Sequence, residues 1–196
     1  MHFAEAEKYI LTRLKDELDI HLSYHSINHT IDVYEKAIEI AQLEGITNPE
    51  DLIILQTAAL YHDAGFISNY QNHEQVSIEM AQTTLAQFAY SAAAIDSICT
   101  LIEATRIPQK PSNKLAEILA DADLDYLGRD DYYSIADTLF QEFKHHSIIT
   151  SEQQWLKIQI SFLENHNYFT QTSITRRTAN KLKKLEELKK QSNDSF

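Results

Sequence analysis

Apolar residues recur at three- and four-residue spacing along almost the whole chain, and only three glycines and three prolines interrupt its 196 residues. Hairpins and barrel corners need those two residue types, so a chain so poor in them and rich in Ala, Leu, Ile, Glu and Gln reads as all-α. The breaks divide it into helices predicted over 3–19, 27–44, 50–66, 73–89, 91–104, 112–127, 130–144, 151–165 and 171–191. Phe3, Ile10, Leu14 and Leu18 share one side of the first, and Gly45 and Asn48-Pro49 stop the second. The third turns almost wholly apolar after an acidic start and is expected to be the central, buried helix. In the sixth, Leu115, Ile118, Leu119 and Ala122 are expected to face inward. No repeat or low-complexity linker divides the chain, whose length suits a single domain, 1–196, around one core.

Charge narrows the partners. The net −12 is uneven: residues 1–173 carry 10 basic and 26 acidic side chains, residues 174–196 carry 7 basic and 3 acidic. A body at −16 repels phosphate backbones and anionic lipid, which argues against duplex nucleic acid and membrane surfaces as partners. The basic tail, from Arg176-Arg177 to Lys189-Lys190, mixes Lys, Glu and Leu as a solvated helix does. Its apolar positions are left to pack on the core or on a second copy, as a homodimer. Cys99, the single cysteine, cannot form an intramolecular disulfide, and no basic neighbour activates it. There is no signal-peptide core and no 18-residue apolar run, so a soluble cytoplasmic protein is expected.

Against that background His62-Asp63 stands out, a charged pair inside the apolar Leu60-Tyr61-His62-Asp63-Ala64-Gly65-Phe66. An unpaired buried carboxylate costs several kcal/mol, so the pair calls for a cation or a full set of hydrogen bonds. His25 and His29 lie four apart at a helix start and therefore share a face. Asp121-Ala122-Asp123 follows in a helix otherwise apolar on its core side. Imidazoles and carboxylates from three helices suit a divalent cation such as Mn, Fe, Co, Ni, Zn or Mg, held inside a bundle.

These residues carry a resemblance. Tyr24-His25-x-x-x-His29-Thr30-x-x-Val33, Leu60-Tyr61-His62-Asp63-x-Gly65 and Ala120-Asp121-Ala122-Asp123-Leu124-Asp125-Tyr126-Leu127-Gly128 resemble the signature of the HD superfamily of metal-dependent phosphohydrolases, nearest to a bacterial subgroup of predicted HD phosphohydrolases. His73-Glu74-x-x-Ser77, Ala104-Thr105 before Pro108, and Phe162-Leu163-Glu164-Asn165-His166-x-Tyr168-Phe169 extend the likeness over about 20–170, leaving a helical tail at about 171–191. The resemblance implies an HD-type helical bundle with His29, His62 and Asp63 as metal ligands and one of Asp121 and Asp123 as the fourth. Asp123 has the more apolar neighbours at three and four residues and precedes Leu, as in the related cyclic-nucleotide phosphodiesterases; Asp121 is held in reserve, or orients a ligating histidine from behind. The position of His25 is a general acid in those enzymes, the alternative being a helix cap or packing under the site. Glu74 matches a water-activating carboxylate and His73 a group near a second metal or the substrate. Thr105 stands where a further histidine is often found, which favours one metal.

The implied reaction is metal-assisted hydrolysis of a small phosphorylated molecule, a nucleotide being the expected type, by in-line attack of activated water on phosphorus, with Asp63 both ligand and catalytic. Arg106 and Arg129, close in sequence to the site, are candidates for a second phosphate contact or are surface residues. The competing reading is a non-catalytic ligand-sensing or interaction module that keeps the metal shell; a two-iron HD oxygenase fits less well, because of Thr105. His145-His146 reads as a solvated helix end and Asn165-His166 as a cap. Trp155, Ile158, Phe162 and Leu163 keep core spacing, and Tyr126 either packs in the core or stacks on a base.

Overall fold

Capping side chains set four of the helix starts. The Asn48 side chain accepts from Glu50 N, with Pro49 in the first turn; Asn113 does the same for Ala116 N, Ser91 for Ala94 N and Ser151 for Gln154 N. The computed structural model describes residues 1–194, and among these are nine α-helices and no strand. They are α1 (Phe3–Glu17), α2 (Ile27–Leu43), α3 (Pro49–Tyr61), α4 (His73–Thr84), α5 (Ala92–Glu103), α6 (Lys114–Asp123), α7 (Tyr132–His145), α8 (Glu152–Asn165) and α9 (Gln171–Asp194). No helix among the described residues is long and apolar enough to cross a membrane.

All nine expected helices are present, but three end early. The third, expected to reach residue 66, stops at Tyr61, and Ala64–Ile67 forms a 3₁₀ turn. Close packing is the cause: a Cβ on Gly65 would lie 2.0 Å from the His73 carbonyl oxygen, and Gly65 N donates to Ser77 Oγ at 2.8 Å. Glycine alone lets the turn lie against α4. The fourth helix gives way to a 3₁₀ turn at Leu85–Phe88, and the sixth ends at Asp123 before another at Asp125–Gly128.

α3 is central, buried from Ile54 to Tyr61 on nearly every side and packed against α1, α2, α5 and α6. Ile118, Leu119 and Ala122 of α6 are buried as expected, and Leu115 packs against them partly exposed. In place of the single core expected, buried apolar residues form two clusters. One joins α1–α6; the other joins Tyr24, Leu124, Tyr126 and Leu127 to α7, α8 and α9. His62, Asp63, Asp121 and Asp125, all buried and polar, stand along the line where the clusters meet.

The tail is more than a solvated helix. Leu185 and Leu188 of α9 are buried against α8, and the tail's cations pair with the acidic body: Arg177 with Asp125 (2.7 and 3.0 Å), Arg176 with Glu39 (2.7 Å) and Lys189 with Glu164 (2.6 Å). Asp125 is almost fully buried, so its guanidinium partner offsets a large desolvation cost.

Candidate metal centre

Two carboxylates stand at helix C-termini, where the backbone dipole already favours cations. Asp63 is the residue after the cap of α3, and Asp123 is the last residue of α6. His29 sits in the first turn of α2, and His62 caps α3. His29 Nε2 lies 3.3 Å from Asp63 Oδ2, 3.3 Å from Asp123 Oδ1 and 3.4 Å from His62 Nε2. His62 Nε2 lies 3.2 Å from Asp63 Oδ2 and 3.6 Å from Asp123 Oδ1.

Three observations say that a divalent ion fits these four residues. Donor atoms about 2.1 Å from one tetrahedral ion stand about 3.4 Å apart, and the two histidines stand 3.2–3.6 Å from each other and from both carboxylates. His29, His62 and Asp123 offer ligand atoms all within 4.8 Å of one another. Asp63 Oδ2, buried between the imidazoles, makes no hydrogen bond, an expense that a cation removes. The His62 ring is also pre-set: its Nδ1 is 2.8 Å from the Ala59 carbonyl, which can only accept, so Nε2 carries the lone pair toward the cluster.

Titration follows the same logic. Burial by itself pulls the His29 imidazole down, but the Asp123 and Asp63 carboxylates outweigh it and carry the pKa up to about 9. Burial pushes the Asp123 carboxyl up, and hydrogen bonds from His29 and His62 bring it down to about 2. Burial also raises the Asp63 carboxyl, but the charge of His62, more than any other group, holds it well below the ordinary carboxylate range; against its own burial, the charge of Asp63 in turn holds His62 well above that of histidine. Without an ion, protons on the histidines balance the carboxylates.

Asp121 is not part of this set. Its buried carboxylate accepts from Phe169 N (2.9 Å), Thr170 N (2.7 Å) and Thr170 Oγ1 (2.7 Å), tying α6 to the start of α9 rather than orienting a histidine. His73 and Glu74 do reach the site: His73 Nε2 is 3.4 Å from Asp63 Oδ1 and 3.7 Å from Glu74 Oε1. Arg106 grips Glu103 (2.8 Å) and Glu74 (3.2 Å) and does not line the cavity beside the cluster. Arg129, also outside that lining, is held by Asp32 and Asp131 at 2.5–2.9 Å. The Thr105 hydroxyl donates to the Ile102 carbonyl.

His25 lies next to the cluster, half-buried, its ring stacked on Phe66 at 4.1 Å; Phe66 in turn stacks on His73 at 4.0 Å. It does not cap α2 through its side chain. Its Nδ1 is instead 2.5 Å from Oε1 of Glu142, a fully buried carboxylate on α7. Tyr70 Oη donates to the same oxygen (3.0 Å), and the backbone N–H groups of Tyr24 and His25 donate to Oε2 (2.9 and 3.0 Å). Burial drives the Glu142 carboxyl up, yet these donors, His25 first, leave it below the ordinary range. Sequence reasoning passed over Glu142. Its one local sign is an acid placed at helical spacing after Ile135 and Leu139, on the stripe that faces the core.

A cavity of about 200 Å³ runs from His25, Asp63, His73, Glu74 and Asp123 to α7 and α8. Trp155, Ile158 and Phe162, expected as core, line it, as do Leu163 and the buried Tyr126. His166, expected as a cap, has its ring buried with neither nitrogen bonded; burial first, then Lys181, drives its pKa down to about 3. His145 is exposed, whereas His146 is half-buried and stacks on Tyr70.

The HD domain family model matches residues 26–125, just over half of the chain, a span that takes in His29, His62, Asp63, His73, Glu74 and Asp123. No curated protein and no solved structure gives a match. With the donors on α2, α3 and α6 brought together inside the matched span, the chain belongs to the HD domain family.

Proposed function

We propose that the protein is a metal-dependent phosphohydrolase acting on a small phosphate ester, with His29, His62, Asp63 and Asp123 holding one divalent ion. The observation that carries this reading is the orphaned Asp63 Oδ2 between two imidazoles, with a buried His25–Glu142 pair beside it. A divalent ion bound there supplies Lewis acidity, lowering the pKa of water and withdrawing charge from a phosphoryl oxygen. The protein's own groups supply the rest. With Nδ1 held by Glu142, the His25 imidazolium presents Nε2–H to the oxygen of the departing alcohol, and Tyr70 keeps the accepting carboxylate in place. Glu74, buried and held by Arg106, is the carboxylate available to take a proton from attacking water; His73 lies between it and Asp63.

The test is a screen of phosphorylated metabolites, nucleotides included, with protein purified without chelator and supplied with Mn, Co, Ni or Mg. Asp63→Ala should lose bound metal and hydrolysis together. A ligand-sensing module would instead lose only its ligand response, and an empty site with no turnover across the panel refutes the proposal.

A further inference from the structure

The metal set lies inside the family match, but α7 and α8, which form the far wall of the cavity, lie outside it. The part of a substrate that reaches them meets residues outside the family match. Their contribution is largely apolar: Ala136, Leu139 and Phe143 from α7 and Trp155 and Phe162 from α8 line the cavity together with Leu127. The polar pair in this wall is satisfied internally, Tyr132 Oη donating to Gln159 Oε1 at 2.9 Å. No lysine or arginine lines the cavity, and Arg106 and Arg129, the two candidates for a phosphate contact, are engaged by Glu74, Glu103, Asp32 and Asp131.

Resting on the hydrolase reading for its phosphate end, we infer that this chamber receives the apolar, single-ring portion of the substrate, a phosphate monoester of an aryl or arylalkyl alcohol. Two constraints lead there. A second or third phosphate would enter a protein of net charge −12 with no lysine or arginine in the cavity lining to meet it, so one phosphoryl group is accommodated, at the metal. A dry cavity of about 150 Å³ holds a benzene ring, so about 200 Å³, part of it at the phosphate end, takes no more than one ring. Polar edges of a sugar would be stripped of water against this wall with few partners in return.

The chain's single tryptophan, Trp155, gives a readout independent of metal and turnover. Titrating the full-length protein with 2-phenylethanol should shift or quench Trp155 emission saturably, whereas ribose 5-phosphate should not. With metal supplied, kcat/KM for 2-phenylethyl phosphate should exceed that for ethyl phosphate by on the order of 10²-fold, since the leaving oxygens are alike and only the buried ring differs. Nucleoside mono- and triphosphates should be poorer than 2-phenylethyl phosphate. Ala136→Phe should fill the chamber and bring the ratio toward one. Phe143→Ala, which removes volume instead, should move the preference to a two-ring alcohol. Trp155 emission unmoved by 2-phenylethanol, a ratio near one, or a nucleotide as the best substrate each overturns the inference while leaving hydrolysis standing. A protein that binds 2-phenylethanol yet hydrolyses no ester retains the ring chamber and overturns the hydrolase reading instead.

Discussion

Glu142→Gln tests the proton-donating role proposed for His25 with little change in shape. Each carboxylate oxygen accepts two hydrogen bonds, Oε2 from the rigid backbone N–H groups of Tyr24 and His25, Oε1 from His25 Nδ1 and the Tyr70 hydroxyl. The amide must keep its oxygen toward the two backbone donors, which cannot turn away, so its NH₂ replaces Oε1. Tyr70 can rotate its hydroxyl to accept, but His25 Nδ1 must then become an acceptor as well, which the imidazolium cannot be. The variant therefore loses one charge-assisted bond to the protonated ring, about 1.5–3 kcal/mol. At 1.4 kcal/mol per factor of ten, that is about a 10- to 10²-fold loss in kcat wherever the leaving oxygen needs a proton. Ethyl phosphate needs one; 4-nitrophenyl phosphate, whose phenolate departs readily, needs little help. Steady-state kcat for both esters, with a thermal melt to show that the variant folds, makes the comparison. Equal losses on the two esters, or none on ethyl phosphate, would refute the assignment of His25 as acid held by Glu142. Glu142→Ala is the poorer probe, because it leaves two buried backbone donors unsatisfied at about 1–3 kcal/mol each.

Other perturbations reach the scaffold. Gly65→Ala places a Cβ 2.0 Å from the His73 carbonyl oxygen, so the turn and α4 must separate; urea unfolding should show a loss of about 1–3 kcal/mol, and the displaced Asp63 should weaken metal uptake. Arg177→Met strips the buried Asp125 of its bidentate partner and should cost about 3 kcal/mol, the low end for a broken buried pair because Arg129 remains 3.9 Å away; adding Asp125→Asn should recover part of that loss. The pH dependence of stability should carry a His166 signature. Its folded pKa, about 3, lies below the ordinary value of 6.5, so below about pH 6.5 the unfolded chain takes a proton that the folded chain refuses. The His166 contribution is complete above that pH and falls toward pH 3, with about 2 kcal/mol gone near pH 5 at 1.36 kcal/mol per unit. Urea unfolding of His166→Phe should lack that slope, and an unchanged slope would contradict the burial argument.

What could be read from sequence divides by the range of the interactions that decide it. Helix identity is local, fixed by periodicity and by caps such as Asn48 and Asn113, and it was legible throughout. Helix ends at 61, 84 and 123 were not, since at Gly65 a backbone approach from α4, several residues downstream, ends the run. His29, His62 and Asp123 were legible as one group because each is a metal-competent side chain in a short motif, and the helix termini at which the structure places them bring their donor atoms within 4.8 Å of one another. Of the two aspartates, Asp123 is the one that clusters with the histidines, whereas Asp121 is taken up by Phe169 and Thr170. Arg129 shows the limit of that logic: closeness in sequence placed it near the site, yet three acidic side chains within 4 Å set where its guanidinium points.

Glu142 marks the opposite case, 117 residues from His25 and joined to it only by the packing of α7 over the entrance to α2. A carboxylate there is uncharacteristic of a core stripe, and its cost makes sense only once its four donors are assembled. The same packing brings the apolar faces of α7 and α8 over the metal set. One tertiary arrangement therefore positions both the acid's partner and the chamber wall, and neither could be inferred without the other. It also explains why α7 carries a buried acid and an apolar cavity face on one helix: Glu142 turns toward His25, while Ala136, Leu139 and Phe143 line the space in which an alcohol group would sit as His25 protonates its oxygen. A shift of α7 should therefore alter proton donation and ring selectivity together, whereas metal affinity, set by α2, α3 and α6, should stay nearly independent of it.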